Sequence, residues 1–312
     1  MRIFFATDIH GSEICWRKFL NAAAFYRADL VILGGDLTGK VMVPIVVGAG
    51  GFDVTFAGVT HHLESEEEVR NVESQIRNRG FYPTRISQEE LLSLNEADGS
   101  IDRRFTDEMI HTLDRWLDMA DTKLDAGKIP CYLNGGNDDT FDIDNVIESA
   151  PHVNFTEGKV VELDGFYLAS MGYTNPTPWN TFREGSEEDL ARRIDELTVQ
   201  IPDMSRAIFN FHAPPYNSGL DDAPALDETL RPKHGGAVME PVGSRAVAAA
   251  ITEHQPLLSV HGHIHESRGV KKMGRTLAIN PGSVYTDGVL QGAVIDLNEK
   301  KKKLTRYILV NG

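Results

Sequence analysis

Three histidines recur at every second position in residues 259–266, directly after the apolar run 257–260. Alternate side chains of an extended chain lie on one face, so His261, His263 and His265 could all project to the same side. A loop that is rich in histidine by chance is the simpler interpretation. Three alternating histidines at a strand end nevertheless favour a metal site, because neutral imidazole is a common metal ligand. Such a site needs further ligands from elsewhere in the chain.

Polar side chains also follow four other apolar runs, which the pattern predicts as buried strands at residues 2–6, 29–33, 129–133 and 207–211. These polar residues are Asp8, His10, Asp36, Asn137, Asp138, Asp139 and His212. A turn would explain any one of the motifs, because Asp, Asn and Gly are common turn residues. Turn formation does not explain why all of them follow buried strands. We therefore interpret them as one constellation.

The elements between these motifs predict an α/β fold. A helix at 12–26, with Ser12 as its cap, joins the first two strands into a parallel unit. Further helices are predicted at 64–78, 100–126, 186–200 and 243–254. Further strands are predicted at 166–171, 276–279, 292–297 and 304–309, the last two closing a second sheet. Ligands gather at the carboxyl edge of parallel strands, which is where the polar motifs lie.

Residues 41–110 are predicted to be an inserted hairpin and helical cap segment within a single domain of residues 1–312. The run 41–56 has the pattern of a hairpin with glycines at its turn. We expect the segment to rest over the metal-bearing edge of the sheet or to mediate self-association. A peripheral decoration is the alternative.

Composition narrows the class of protein. The 312 residues are 41% hydrophobic and 25% charged, enough for a substantial core. A net charge of −15 argues against a large surface that binds nucleic-acid phosphates. Cys15 and Cys131 cannot form a disulfide framework. Neither a signal peptide nor a membrane-spanning apolar run is apparent, so we expect a soluble, cytoplasmic protein.

Seven of the polar residues offer imidazole, carboxylate or amide groups and none offers a thiolate: Asp8, His10, Asp36, Asn137, His212, His263 and His265. This ligand set suits Mn, Fe, Zn or Ni and differs from a structural zinc site. Seven ligands are too many for one ion and suit two ions that share a carboxylate. Ions in such pairs lie roughly 3.5–4 Å apart and bind a phosphoryl group between them.

The order of the motifs, Asp-x-His, Gly-Asp, Gly-Asn, His and Gly-His-x-His, resembles the calcineurin-like metallophosphoesterase superfamily over essentially the whole chain. Each motif is weak alone, but five in this order are highly specific. The resemblance implies a four-layer α/β/β/α sandwich of two mixed sheets with two metal ions at the sheet edges. We expect two Mn ions, with Fe, Zn or Ni as alternatives.

The resemblance also implies a role for each ligand. The residues carried over to one ion are Asp8, His10 and His265. The residues carried over to the other ion are Asn137, His212 and His263. Asp36 would bridge the two ions. His261 lies outside the Gly-His-x-His motif, so we expect it to support or pack against the site.

The chain departs from the family pattern at Asp138, where many members have a histidine that is thought to stabilise the transition state or protonate the leaving group. A carboxylate close to two dications should have a lowered pKa and be a poor proton donor near neutral pH. Members that lack this histidine resemble phosphodiesterases. We therefore place Asp138 and Asn137 at the catalytic position and expect a narrowed substrate range.

These features predict a dimetal phosphodiesterase that hydrolyses small or nucleotide-like diesters by attack of a metal-bound hydroxide. A phosphomonoesterase or protein phosphatase, a nuclease, and a non-catalytic scaffold on the same fold are the alternatives. The acidic charge argues against the nuclease, and the intact ligand set argues against the scaffold. We expect a small-molecule phosphoester as the partner, no membrane, and a possible homo-oligomer. Specificity would lie in the insertion and in the loops 172–183 and 213–236.

Overall fold

The structure of the protein, a computed structural model, describes residues 1–96, 99–125 and 128–312. Its strands are, in chain order, β1 (Arg2–Ala6), β2 (Leu30–Gly34), β3 (Val41–Gly48), β4 (Gly51–Phe56), β5 (Val59–Leu63), β6 (Phe81–Ser87), β7 (Cys131–Asn134), β8 (Val153–Phe155), β9 (Val160–Leu163), β10 (Phe166–Met171), β11 (Ala207–Phe211), β12 (Asp222–Pro224), β13 (Met239–Pro241), β14 (Leu258–Val260), β15 (Gly269–Met273), β16 (Thr276–Asn280), β17 (Gln291–Asn298) and β18 (Lys303–Asn311). Its α-helices are α1 (Glu13–Tyr26), α2 (Glu66–Asn78), α3 (Gln88–Glu96), α4 (Ser100–Lys123), α5 (Asp142–Ser149), α6 (Glu187–Thr198) and α7 (Arg245–His254). Short 3₁₀ helices lie at Met204–Arg206, Lys233–Gly236 and Tyr285–Asp287.

Two mixed six-stranded sheets form the centre of the fold. The first sheet has the order β18-β17-β1-β2-β7-β8, in which β1, β2, β7 and β8 run parallel. The second sheet has the order β15-β16-β14-β11-β10-β9, in which β16, β14, β11 and β10 run parallel. Strands β12 and β13 form a separate pair. The parallel strands of each sheet end at one edge, so the loops that follow them can meet there.

Alternation along β1 divides its apolar side chains between two cores. Ile3 and Phe5 are buried with residues of the second sheet such as Ile208. Phe4 is buried on the other face, in a core that includes α1 and α4, where the rings of Trp16 and Trp116 stack 5.1 Å apart. The second sheet has a further core of its own, formed with α6 and α7. The mixed α/β prediction is confirmed, and among the described residues no helix is both long and apolar enough to cross a membrane.

The last two strands belong to the first sheet, so the prediction that they close a second sheet is wrong. Strand β17 pairs antiparallel with β1, with Ile3 opposite Ile295, and β18 continues the same sheet beyond it. Both strands have an apolar pattern that fits either sheet, and only pairing with the N-terminal strand decides between the two. The predicted end of the helix at Ala126 lies outside the described residues, and α4 ends at Lys123.

Ser12 occupies the position before α1, but its side chain does not cap that helix. Its hydroxyl instead donates to the carbonyl oxygen of Asn78, at the end of α2, over 2.7 Å. The predicted cap is therefore wrong, and the serine ties the loop after β1 to the segment that separates β2 from β7. A side chain preferred at helix starts can also bond to any nearby carbonyl.

The segment between β2 and β7 contains a four-stranded sheet of its own, in the order β5-β4-β3-β6. The predicted hairpin is present as β3 and β4, while β5, β6 and α3 lacked a sequence prediction. A small apolar core, including Val43, Ile45, Val54 and Ile76, holds this sheet against α2. In contrast, Met109 and Trp116 of α4 lie in the core of the first sheet. The boundary of the insertion at 41–110 stays a prediction.

Gly80, just before β6, lies directly against the loop that carries His10. A Cβ atom on Gly80 would overlap the carbonyl oxygen of His10, and a Cβ atom on Gly39 would overlap the carbonyl oxygen of Gly80. The backbone of the four-stranded sheet thus approaches the chain that follows β1 as closely as glycine permits. This contact couples the position of the inserted sheet to the position of His10.

Substituting Gly80 tests this coupling, and Gly58 provides a matched control. Both glycines have a positive φ, +86° and +78°, but only Gly80 has atoms within 4 Å of the point that a Cβ atom would occupy. We expect Gly58→Ala to lower the free energy of unfolding by about 1–2 kcal/mol, the cost of the left-handed backbone. Gly80→Ala should cost about 1–3 kcal/mol more, because the methyl group overlaps the His10 carbonyl. Denaturant titration measures both, and equal losses would contradict the contact.

Candidate metal centre

Loops at the carboxyl edges of the two sheets bring six of the predicted ligands together. These six residues form two groups of three. Within each group, the ligand atoms all lie within 4.8 Å of one another. One group consists of Asp8, His10 and His265. The other consists of Asp36, His212 and His263. The two groups draw on the loops after β1, β2, β11 and β14, so the candidate metal centre draws its side chains from both sheets.

Asp36 belongs to the second group but also lies close to His10 of the first group. Its Oδ2 atom is 3.5 Å from Nε2 of His10 and 3.3 Å from Nε2 of His212. Its Oδ1 atom accepts a hydrogen bond from the backbone N–H of Asp138 over 3.0 Å. One oxygen is therefore fixed by the loop after β7, and the other faces histidines from both groups. This is the position that a bridging carboxylate needs.

Asp8 is the second buried carboxylate of the centre. Its Oδ1 atom lies 3.4 Å from Nε2 of His265, and both of its oxygens accept from the backbone N–H of His263, over 3.0 and 3.1 Å. The Nε2 atoms of His10 and His265 lie 3.0 Å apart. Gly262 is required here, because a Cβ atom at that position would overlap the Asp8 carboxylate. The loop after β14 is thus fastened to the loop after β1.

Asn137 is oriented so that its carbonyl oxygen is free. Its Nδ2 donates to the hydroxyl of Thr181 over 2.8 Å, and its Oδ1 is buried without a hydrogen-bond partner among the described residues. Nε2 of His212 is also buried and without a hydrogen bond in that part of the chain. Buried polar atoms are nearly always satisfied in folded proteins. Two unsatisfied atoms of predicted ligands are what a site for divalent ions would show.

The ligands adopt unusual backbone conformations. Asp8, His10, Asp36 and His263 all have a positive φ, between 40° and 67°. Such left-handed conformations cost non-glycine residues roughly 1–3 kcal/mol each and cluster at functional sites. They also show that the alternating-strand interpretation of the histidines is wrong, because β14 ends at Val260 and the chain beyond it turns. The side chains converge through turns that the alternating pattern does not predict.

The raised pKa of His212 implies a proton that compensates part of the negative charge in the centre. Burial alone would lower the pKa of this histidine, but the adjacent Asp36 and Asp8 carboxylates raise it to about 10. Burial lowers the pKa of His10 to about 3 and that of His263 to about 4. Burial would raise the pKa of Asp8, but His212 and His265 hold it at about 2. At neutral pH the carboxylates are therefore ionised, and His10 and His263 are neutral.

His261 belongs to neither of the two groups of candidate ligands. It is fully buried, and its Nδ1 lies 2.8 Å from the carbonyl oxygen of Phe211 and 3.0 Å from that of Ala213. Since carbonyl oxygens only accept, Nδ1 carries the proton. Burial lowers the pKa of His261 to about 4, so the ring is neutral and Nε2 accepts from the hydroxyl of Ser259 over 2.8 Å. Nδ1 thus holds the backbone on either side of His212, while Nε2 is used by Ser259 of β14.

Asp139 joins the loops after β2 and β7. Its carboxylate is fully buried and accepts from the backbone N–H groups of Leu37, Thr38 and Gly136 over 2.9–3.0 Å, and from the Thr38 hydroxyl over 2.6 Å. Four donors on one carboxylate hold the loop of Asp36 against the loop of Asn137. Asp139 thus positions candidate ligands and is a member of neither group.

Arg183 is a positioning residue that sequence reasoning missed. Its side chain is fully buried, and its Nε and Nη2 donate to the carbonyl oxygens of Asp139 and Thr140, both over 3.0 Å. Its guanidinium also pairs with Asp144, and its backbone N–H donates to the carbonyl oxygen of Asn137. A single arginine in a polar loop carries no local signal of such burial. Only the folded loop shows that it supports Asn137.

Asp138 lies beside the two groups and pairs with Lys40, a partner that sequence analysis did not identify. Its Oδ2 atom is 3.9 Å from Nδ1 of His10, and Asp138, His10 and Asp36 form a third possible metal-holding group. Burial and the charge of Asp36 raise the pKa of Asp138 to about 7, outweighing the effect of Lys40. This raised pKa applies to the metal-free site. Two bound dications would lower the pKa of Asp138, which is the effect that the sequence analysis expects.

Metal binding should release a proton from His212, because a ligating nitrogen needs its lone pair. With a pKa of about 10, the metal-free ring is protonated at pH 8, so metal affinity should rise with pH up to that value. Calorimetry of Mn²⁺ binding at pH 8, in buffers of different ionisation enthalpy, counts the protons. His212→Asn keeps an oxygen ligand but cannot titrate, and should release about one proton fewer. The same count in both proteins would contradict this assignment.

Comparisons with known proteins bear on the fold. No protein-family model matches the chain. An uncharacterized protein of Methanocaldococcus jannaschii is 29% identical over 125 residues, which cover 39% of this chain and 51% of that protein, so the chain spans about half the length of its curated relative. One solved structure aligns over 99% of this chain and 98% of its own, with 15% identity and a TM-score of 0.55.

The structure of TT1561 of Thermus thermophilus aligns over 100% of this chain and 97% of its own. The identity is 14% and the TM-score is 0.50, which shows a shared fold and nothing finer. The fold alone carries no information about the candidate metal ligands. That information comes from the order of the five motifs and the convergence of their side chains. The resemblance to the calcineurin-like metallophosphoesterase superfamily therefore rests on the motifs and on the convergence of their side chains.

Proposed function

We propose that the protein is a phosphoester hydrolase dependent on two divalent metal ions, acting on small or nucleotide-like phosphodiesters. The observation that carries this proposal is the position of Asp36, whose Oδ2 atom lies 3.5 Å from His10 and 3.3 Å from His212. One carboxylate oxygen that reaches histidines of two groups fits a shared ligand. Oδ1 of Asp8 also approaches His212 of the other group, but at the longer distance of 3.7 Å, so Asp36 is the better candidate. The unsatisfied Oδ1 of Asn137 adds an oxygen ligand for the second ion.

Asp8, His10 and His265 would hold one ion, Asn137, His212 and His263 the other, and Asp36 both. The imidazole and carboxylate set suits Mn²⁺, with Fe, Zn or Ni as alternatives. When bound, such ions neutralise charge on a phosphoryl group and make a water deprotonate near neutral pH. Everything else must come from how the chain orients and shields the reacting groups.

The side chains around the ions have separate tasks. Asp139 and Arg183 hold the loop of Asn137, and Thr181 turns its amide so that the carbonyl oxygen faces inward. His265 is 30% exposed while His10 and His212 are buried, so substrate would approach from the side of His265. Rigid ligands and an open side favour positioning of a phosphoryl group.

Charge near the centre favours a diester over a monoester. With two dications bound, which would lower its pKa, Asp138 would add a charged carboxylate beside the ions. Lys40, which pairs with Asp138, is the cation nearest to it in the described ion pairs. A diester carries one negative charge and a monoester close to two, so the diester meets less repulsion. A phosphomonoesterase remains the second candidate, and a substrate screen separates the two.

Removing a ligand should abolish turnover while the fold survives. In His263→Ala we expect hydrolysis of bis-p-nitrophenyl phosphate to fall at least about 100-fold, because the ion and the charge stabilisation are lost together. His61→Ala, an exposed histidine on β5, is the control and should retain activity. Rates are measured with Mn, Ni, Zn and Mg against diesters and p-nitrophenyl phosphate. Wild-type rates in His263→Ala would show that the site is misplaced, and inactivity of the wild type with every ion would refute the function.

Asp138 should make the enzyme depend on the leaving group, because two bound dications would lower its pKa and make it a poor proton donor. We expect leaving groups that are stable as anions, such as p-nitrophenolate, to be favoured over simple alkoxides. Asp138→His should recover part of the general acid catalysis, which typically contributes about 10²–10⁴-fold, with a gain that grows as the leaving-group pKa rises. A series of aryl and alkyl diesters at saturating metal measures the trend. A uniform fall in rate would show instead that Asp138 supports metal binding.

A further inference from the structure

A cavity of about 530 Å³ adjoins the candidate metal centre. Asp138 lies in its wall and connects it to the centre, since the backbone N–H of this residue donates to Oδ1 of Asp36 over 3.0 Å. The remaining wall comes from the chain after β2, the first turns of α4 and the loop before α6. The volume is in the range of sites that bind small organic molecules.

The end of the cavity near the metal centre is polar. Lys40 lines it and directs its ammonium group to the Asp138 carboxylate. The hydroxyl of Thr140 also lies in this wall and is buried without a hydrogen-bond partner in the described part of the chain. A phosphoryl group held at the ions would therefore have a cation beside it, at the entrance to the cavity.

Another part of the cavity wall is apolar. Phe105 of α4 packs edge-on against Tyr82, with ring centroids 5.5 Å apart, and the Tyr82 hydroxyl accepts from the backbone N–H of Gly39 over 2.7 Å. Ile101 and Phe182 complete this side, and both are exposed, at 45% and 58%. Exposed apolar side chains around a concave surface mark a binding site more often than a random surface.

The charges in the wall restrict what this cavity can accept. Its charged lining residues in the described chain are Lys40, Asp102 and Asp138, one cation against two carboxylates. A second anionic group, such as the phosphate of a sugar phosphate, would meet repulsion without a free cation to compensate. An uncharged, flat apolar group meets no electrostatic repulsion and gains contact with the rings of Phe105 and Phe182.

We propose that this cavity is the subsite for the organic group of the phosphoester, that this group is uncharged and aromatic, and that Lys40 contacts the phosphoryl oxygens at the entrance. The proposal rests on the function proposed above and deepens it by naming the class of substrate. Val41 and Met42, at the start of the inserted segment, line the cavity as well, so the insertion takes part in substrate selection.

Equilibrium binding of two phosphonates to the Mn-loaded protein tests the subsite. Phenylphosphonate and methylphosphonate carry the same anionic head, and neither is a phosphoester, so binding is measured without turnover. Calorimetry should show phenylphosphonate binding about tenfold more tightly, as expected for partial burial of a ring. Phe182→Ala and Ile101→Asp should each reduce this preference to about twofold or less.

Two further variants make the test specific. Trp179→Ala removes a 62% exposed ring from the same loop as Phe182 but outside the cavity wall, and should keep the tenfold preference. Lys40→Met should weaken both phosphonates by a similar factor, about tenfold, and leave their ratio unchanged. Metal content of each variant is measured alongside, so that loss of ions is not mistaken for loss of the subsite.

The outcomes separate this proposal from the proposed function. Equal affinity for the two phosphonates, or a preference that survives both Phe182→Ala and Ile101→Asp, overturns the subsite even if the wild type hydrolyses diesters. Unchanged binding of both phosphonates in Lys40→Met overturns the assigned contact. The wild type could prefer phenylphosphonate, and the variants could lose this preference, while the wild type hydrolyses no ester. That result would refute the hydrolase and support the subsite.

Discussion

Two buried carboxylates, Asp8 and Asp36, carry negative charge into the edge where the two sheets meet, and the rest of the site is arranged around that charge. In the absence of ions, a proton on His212 compensates part of it, which is why the pKa of that ring is raised to about 10. Uncompensated buried charge is very costly. A pair of divalent cations would replace the proton with a stronger and more localised compensation.

Holding these groups in place requires backbone that the chain would otherwise avoid. Asp8, His10, Asp36 and His263 have left-handed conformations, and their cost must be met by the surrounding structure. Asp139 and Arg183 fix one side of the site through hydrogen bonds to backbone groups, as His261 does on the other. The parallel strands provide the approximate position, and these buried polar contacts provide the final geometry.

The sequence was most informative where chemistry and secondary structure coincide. Strands at Arg2–Ala6, Phe166–Met171 and Ala207–Phe211 match their predicted limits, because short apolar runs that end in polar motifs have one simple interpretation. The residues that sequence reasoning missed, Lys40 and Arg183, act through partners far along the chain, and a lone basic residue gives no sign of its partner. The sheet of the last two strands was predicted wrongly for the same reason, because strand pairing joins residues that are far apart in the sequence.

Whether two ions share Asp36 can be seen in a crystal structure of Mn-loaded protein with anomalous scattering at the Mn edge. We expect two anomalous peaks per chain, roughly 3.5–4 Å apart, with the Asp36 carboxylate between them. His10 and His265 should lie at one peak, and His212 and His263 at the other. A single peak, or two peaks of which only one contacts Asp36, would contradict the account.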